Sequence, residues 1–334
     1  MKTWTRAGWI LAGFLVLAGC FGCQGQEPAA SEAETAETRT EAENIKLPAD
    51  PEQPQKAGNV PPGTAAQEDV DRTSGAVARE PEILEADWSQ YFDGLNGAAV
   101  LYDGSRYRIY NRELAEVRRS PCSTFKIISS LAALESGVLE PEDSTCAWSG
   151  EVFWNENWNR DQDFGQAFRD SCVWYFRRLI DETGQQRMQE TLDQLSYGNG
   201  DISDWEGQLN TNNGNRALTG FWIESSLKIS PREQTQVMER IFGRDSIYKE
   251  ETREALRQVM LFQDQKVTEL TIYGKTGMGK DRGVTVDAWY TGFAEGKAGR
   301  VYFCVYLGQT GGREVTSSRA REIAVEILSE EEPS

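Results

Sequence analysis

The chain has 334 residues, 39% hydrophobic and 26% charged, with a formal net charge of −18 at pH 7 and no histidine. That length allows one sizeable core or two modest ones, and the acidity argues against nucleic acid as a partner. The lack of histidine excludes a Ser-His-Asp or Cys-His mechanism within the chain, and histidine-ligated zinc with it. A nucleophile here has to be activated by lysine, a carboxylate or tyrosine.

The first residues carry Lys2 and Arg6, then an uncharged, mostly apolar run from Ala7 to Leu17. This is a signal-peptide layout, too short to span a membrane comfortably. Leu17-Ala18-Gly19-Cys20 resembles a bacterial lipobox. The expectation is a lipoprotein signal peptide over 1–19, lipidation of Cys20, and an exported protein anchored by lipid to the outer face of the cell membrane. An ordinary secretory signal with cysteines nearby is the plainer alternative. From Gln24 to Asp87 there is no Phe, Trp or Tyr, and seven of the 11 prolines lie there. Such a composition cannot bury enough apolar surface to offset its ordering entropy. It predicts a flexible acidic tether over 20–85 and a folded domain over 86–334, with order starting near Trp88.

Within the domain, 97–103 and 106–111 read as a hairpin joined at Gly104-Ser105. Residues 123–136 place Phe125, Ile127, Ile128, Leu131 and Leu134 at near-helical spacing and end at Gly137, a good C-cap. The span 140–260 is rich in helical patterns and Trp/Asn/Gly loops. Residues 268–273, 288–294 and 300–307 are strand-like, and 317–330 closes as a helix with Ile323, Ile327 and Leu328 inward. Strands at both ends with helices between predict an α+β fold, one antiparallel sheet flanked by helices plus a helical subdomain.

Ser123-Thr124-Phe125-Lys126 is an S-x-x-K at a helix start, so Ser123 and Lys126 share a face. The free N–H groups of a helix start favour developing negative charge. Alone the motif is weak, since an N-cap serine before a surface lysine is common. It gains weight from Ser171-Cys172-Val173, Tyr197-Gly198-Asn199, Phe221-Trp222-Ile223-Glu224, Ser226–Ser230 and Lys275-Thr276-Gly277, in that order. S-x-x-K with K-T-G marks penicillin-recognising serine enzymes. In this set the chain resembles the class D (oxacillinase-type) serine β-lactamases. The stretch 197–229 most resembles the Gram-positive, clostridial branch, with a longer loop between Asn199 and Trp222 than many oxacillinases carry.

The resemblance implies a β-lactamase/transpeptidase-like fold with the active site between sheet and helical subdomain. It implies small-molecule β-lactam substrates, and hydrolysis of the lactam amide through an acyl-enzyme on Ser123, giving β-lactam resistance. Lys126 would be N-carboxylated by CO2 or bicarbonate and serve as general base for acylation and deacylation, with no other cofactor and no metal. A lysine near its usual pKa of about 10.4 is protonated and useless as a base, so burial in an apolar pocket is required. Trp222 would hydrogen-bond the carboxylated lysine and Val173 would wall it. Ser171 would relay a proton to the leaving nitrogen. Lys275 and Thr276 would bind the substrate carboxylate, beside Gly277, with Arg319 or Arg321 from the final helix. The backbone N–H groups of Ser123 and Met278 would form the oxyanion hole. Tyr197 and Asn199 would shape the cleft. Cys122 and Cys172 read as buried small hydrophobes, with the pairing of Cys122, Cys146, Cys172 and Cys304 left open. Two rival readings remain, a β-lactam-sensing receptor domain and a penicillin-binding transpeptidase, both with this fold and neither turning over.

Overall fold

The computed structural model describes residues 80–209, 214–262, 270–297 and 299–331. The expected signal peptide, Cys20 and the expected tether as far as residue 79 lie outside the described residues. Among the described residues six strands form one sheet: β1 (Glu82–Glu85), β2 (Gly97–Tyr102), β3 (Arg106–Tyr110), β4 (Thr271–Asp281), β5 (Val284–Gly296) and β6 (Gly299–Gly308). Their order is β1-β3-β2-β6-β5-β4. Every neighbouring pair is antiparallel except β1 with β3, which run parallel. Order therefore begins before Trp88, inside the span expected to be tether. Ile83 opposite Tyr107 gives this short edge strand its only partly buried side chain, too weak a pattern to read from sequence.

Between β3 and β4 the chain leaves the sheet and builds most of its helices. After β3 come α2 (Arg112–Ala115), α3 (Lys126–Ser136), α4 (Phe164–Arg169), α5 (Val173–Thr183), α6 (Gln185–Leu195), α7 (Pro231–Phe242) and α8 (Glu250–Met260); α1 (Ser89–Phe92) comes earlier, between β1 and β2, and α9 (Ser317–Glu330) closes the fold. The central strand β2 shows why the sheet is covered on both faces. Its six residues are all buried. Successive side chains point to opposite faces of a strand. Ala98, Val100 and Tyr102 join a core with Ile127, Leu131, Val237 and Ile241 of α3 and α7. Ala99 and Leu101 join the other core, with Ile323, Ala324, Ile327 and Leu328 of α9.

The segment expected to be one helix from Ser123 starts as a 3₁₀ turn, Cys122–Phe125, and becomes α-helical only at Lys126. It ends, as the sequence implied, at Gly137 with φ 71°. Lys275-Thr276-Gly277 lies inside β4 rather than after it. The glycines that break the strand pattern have a purpose at this edge. A Cβ on Gly277 would come within 3.0 Å of Pro121 O, so β4 runs tight against the Ser123 turn.

Tyr197-Gly198-Asn199 is a bracket for the segment that follows Trp222. The Asn199 backbone N–H donates to Lys228 O at 3.0 Å. Its side chain accepts from Lys228 N at 2.8 Å and donates to Ser226 O at 2.8 Å. Gly198 sits at φ 52°, where a Cβ would lie 1.9 Å from Lys228 O. Strained backbone and overpacking each cost about 1–3 kcal/mol. Gly198→Ala is expected to lower stability by roughly 2–4 kcal/mol in chemical denaturation. A loss below about 0.5 kcal/mol, the level of an ordinary surface change, would refute this packing argument.

Candidate active site

Lys126 is buried, 1% exposed. Its Nζ donates to Ser123 Oγ at 3.0 Å and lies 5.2 Å from the Phe176 ring centroid. Burial lowers its pKa from the usual 10.5 to about 8. Ser171 sits at φ 55° in the turn between α4 and α5. Its Oγ accepts from Lys275 Nζ at 2.6 Å, and the same nitrogen donates to Thr276 O at 3.1 Å. Lys275 is buried too, and burial, then the nearby Lys126, holds its pKa well below the usual value. Two serine–lysine pairs thus meet where β4 approaches the 3₁₀ turn.

The cleft over them encloses about 240 Å³ and is lined by Ser123, Ser171, Val173, Thr276, Gly277 and Met278 together with Trp154, Trp158, Leu218, Ile223, Glu224, Lys280 and Ser317. Lys126, Lys275 and Trp222 are buried and off its lining. Cys122 and Glu224, like Ser171, have positive φ, at 49° and 52°. Such strain gathers at functional sites and needs surrounding packing to hold it. Here the packing is a knot of hydrogen bonds: Cys122 N to Trp222 O (2.9 Å), Glu224 N to Ser120 Oγ (2.8 Å) and Ser120 Oγ to Trp222 O (3.1 Å). The Glu224 carboxylate crosses to β4 and accepts from Lys280 N at 2.6 Å.

Trp222 is fully buried, stacked on Phe125 at 6.1 Å and edge-on to Phe221 at 5.2 Å. Its indole N–H is buried and meets no acceptor among the described residues. Tyr197 packs edge-on against Phe125 at 5.7 Å, and neither it nor Asn199 lines the cleft. The expected carboxylate-binding arginines are not brought to the cleft. Arg319 donates to Tyr91 O at 2.7 Å and pairs with Glu322 and Glu326. Arg321 lies over the Phe262 ring at 5.1 Å. The cleft residue from α9 is Ser317, at its first position. Cys122, Cys146, Cys172 and Cys304 are all free thiols. Burial pushes the Cys122 thiol up to about 12 and the Cys172 thiol up to about 11, so neither is a ready nucleophile. Sequence reasoning gave no role to Glu224 or Lys280, and none to Trp154, which is 72% exposed at the cleft mouth. An aromatic in a polar loop carries no periodic signal to mark it.

The penicillin binding protein transpeptidase domain family matches residues 92–329, which places the chain among proteins of that domain. A probable β-lactamase of Bacillus subtilis, YbxI, is 30% identical over 78% of this chain and 90% of its own length. The crystal structure of a B. subtilis class D β-lactamase is 29% identical with a TM-score of 0.62, covering 75% of this chain and 98% of that one. The chain belongs to the class D β-lactamase family, and its fold is that family's. Its relatives include receptors as well as β-lactamases. The regulatory protein BlaR1 of Bacillus licheniformis is 31% identical over 72% of this chain, which spans 38% of BlaR1. The C-terminal domain of the B. licheniformis BlaR penicillin receptor superposes with a TM-score of 0.65 at 29% identity, covering 76% of this chain and 98% of that domain.

The buried lysine has a consequence for stability. In the unfolded chain Lys126 keeps its proton up to about 10.5, and in the fold it loses it near 8. Below about pH 8 both states carry the charge, and folding bears the full cost of burying it. Between the two values the unfolded state binds more protons, so this residue's contribution to stability rises with pH. In degassed buffer, Lys126→Met is expected to raise the denaturation midpoint at pH 7, with the gain shrinking toward pH 10. A lower midpoint at pH 7 would contradict the buried-charge account.

Proposed function

We propose that the protein is a β-lactamase that opens the lactam amide through an acyl-enzyme on Ser123, with Lys126 carboxylated by CO2. The observation that carries this reading is the buried Lys126 amine, 3.0 Å from the Ser123 hydroxyl, in a chain without histidine. The buried, unpartnered N–H of Trp222 suits such a modification, because it offers a donor in an apolar site that otherwise lacks an acceptor for it. When bound, the carboxyl group supplies the general base for both half-reactions.

The remaining chemistry belongs to the chain's own residues. Ser123 Oγ attacks the lactam carbonyl and gives up its proton toward Lys126. The carbonyl oxygen faces the N–H groups of Ser123 and Met278, held at the β4 edge where Gly277 presses on the 3₁₀ turn. Lys275 holds Ser171, whose hydroxyl delivers a proton to the leaving nitrogen. Thr276, on the cleft lining, binds the substrate carboxylate, with Lys275 buried behind it. Removing a proton from Lys126 has to precede its carboxylation, and a pKa near 8 leaves roughly a tenth of the amine neutral at pH 7. We place the protein outside the cell, tethered by lipid on Cys20.

The similarity to the BlaR receptor domain favours a second reading, a sensor that acylates and stays acylated. With a chromogenic cephalosporin in bicarbonate buffer, the enzyme reading expects continued turnover. A single burst equal to the protein concentration would overturn it. Activity is also expected to fall on degassing at mildly acidic pH and to return with added bicarbonate. Indifference to both would remove the carboxylated lysine from the mechanism. Trp222→Ala is expected to acylate but to slow product release by about 100- to 1000-fold, the range seen for losing one stabilising donor. Unchanged release, followed by rapid quench, would refute that role.

A further inference from the structure

One buried charge plays no part in the chemistry above. Arg177 lies on α5, one turn beyond Val173, and its side chain is only 8% exposed. Burying a guanidinium costs several kcal/mol, and its ion-pair partner Asp181 is half in solvent, so the pair by itself repays little. An apolar side chain of that length would fill the same space at lower cost. The surroundings of the charge suggest why it is there. Its Cζ lies 5.8 Å from the Trp222 ring centroid and 5.5 Å from that of Trp205. Arg177 Nη1 donates to Trp205 O at 2.7 Å, and Trp205 Nε1 donates to Asp181 Oδ1 at 3.1 Å. Trp205 stacks on Phe221 at 5.1 Å, and Phe221 meets Trp222 edge-on. The Trp222 indole is therefore gripped by Phe125, Phe221 and a cation.

We propose that Arg177 is a positioning residue for the Trp222 indole, holding its plane and strengthening its N–H as a donor toward a negative group on Lys126. The inference rests on the carboxylated-lysine reading. A cation held against an indole ring draws electron density from it, fixes the ring's orientation and makes the N–H more positive. Arg177 touches neither substrate nor Ser123, so its effect reaches the reaction only through Trp222 and Lys126.

The test compares the unaltered protein with Arg177→Met, of similar length without charge, and Arg177→Lys, which keeps the charge. Two measurements are made on each. One is the bicarbonate concentration that gives half-maximal hydrolysis. The other is the ¹³C resonance of carboxylated lysine after equilibration with labelled CO2, read without substrate. Removing a cation–π contact of this kind is expected to raise the half-saturating bicarbonate roughly 3- to 30-fold in Arg177→Met, with Arg177→Lys in between. The carboxylated fraction at fixed CO2 should fall in the same order. A lower melting temperature or kcat in Arg177→Met with bicarbonate dependence and ¹³C signal unchanged would overturn the proposal, leaving Arg177 a brace for the loop. If Arg177→Met does not fold, Arg177→Lys decides: a shifted half-saturation supports the proposal, and an unshifted one overturns it. A different failure marks the reading beneath: no ¹³C resonance and no bicarbonate dependence in the unaltered protein would remove the carboxylated lysine, and Arg177's role with it.

Discussion

The whole site depends on forcing a lysine out of water. Lys126 is buried because α3 needs an inward face at that position, between Phe125 and Ile127, and because Phe176 of α5 closes over it. An ammonium in such a place is unstable unless it loses its proton or gains an anion. A hydroxyl at 3.0 Å is a poor substitute for either. The fold thus builds a chemical demand, and the serine beside it is the group positioned to benefit. Lys275 is buried close by, and Lys126 adds to the burial that disfavours its charge. A histidine would not create this pressure, since its neutral form is common at pH 7.

Holding that arrangement needs rigidity, and the rigidity comes from across the chain. Ser171, Cys122 and Glu224 all have left-handed backbone, and they belong to segments widely separated in sequence. Each is tied by hydrogen bonds or packing to a neighbour that is itself fixed. Glu224 clamps the end of β4 at Lys280, where the pairing with β5 shifts register. That shift follows directly after Met278 and Gly279, so the clamp acts on the strand end that presents the Met278 N–H. The Asn199 bracket secures the 226–228 segment from the opposite side. Motif residues that never touch the cleft still decide its geometry.

This separation explains what could be read from the sequence and what could not. Ser123 and Lys126 were legible because a short spacing on one helical turn has a fixed geometry. The hairpin β2–β3 and helix α9 were legible because their apolar periodicity is local. Lys275-Thr276-Gly277 was recognisable as a motif, yet its place inside β4 was not, because three glycines erase the strand pattern and only long-range contacts account for them: the Tyr290 ring at Gly274, and the Ser123 turn at Gly277 and Gly279. Arg319 and Arg321 looked equivalent on a helical count. The fold turns one toward Tyr91 and the other toward Phe262, a consequence of how α9 lies on the sheet. Arg177 was invisible, since an arginine among the polar positions of an amphipathic helix reads as solvent-facing.

The family holds β-lactamases and penicillin receptors on one framework, and the energetics show why that is unsurprising. Every 1.36 kcal/mol changes a rate tenfold, so a 10⁵-fold difference in deacylation corresponds to only about 7 kcal/mol. A lost hydrogen bond to a charged group, together with a buried charge left unpaired, approaches that figure. No strand need move for such a change. It suffices that the proton acceptor beside Ser123 is present during the first half-reaction and absent, or misaimed, during the second. On the proposed reading, the side chains that would set the charge state of Lys126 are Trp222 at its indole N–H and Arg177 behind the ring, and there the two behaviours would diverge. The presence of the serine–lysine pairs says less about turnover than the packing one layer beneath them.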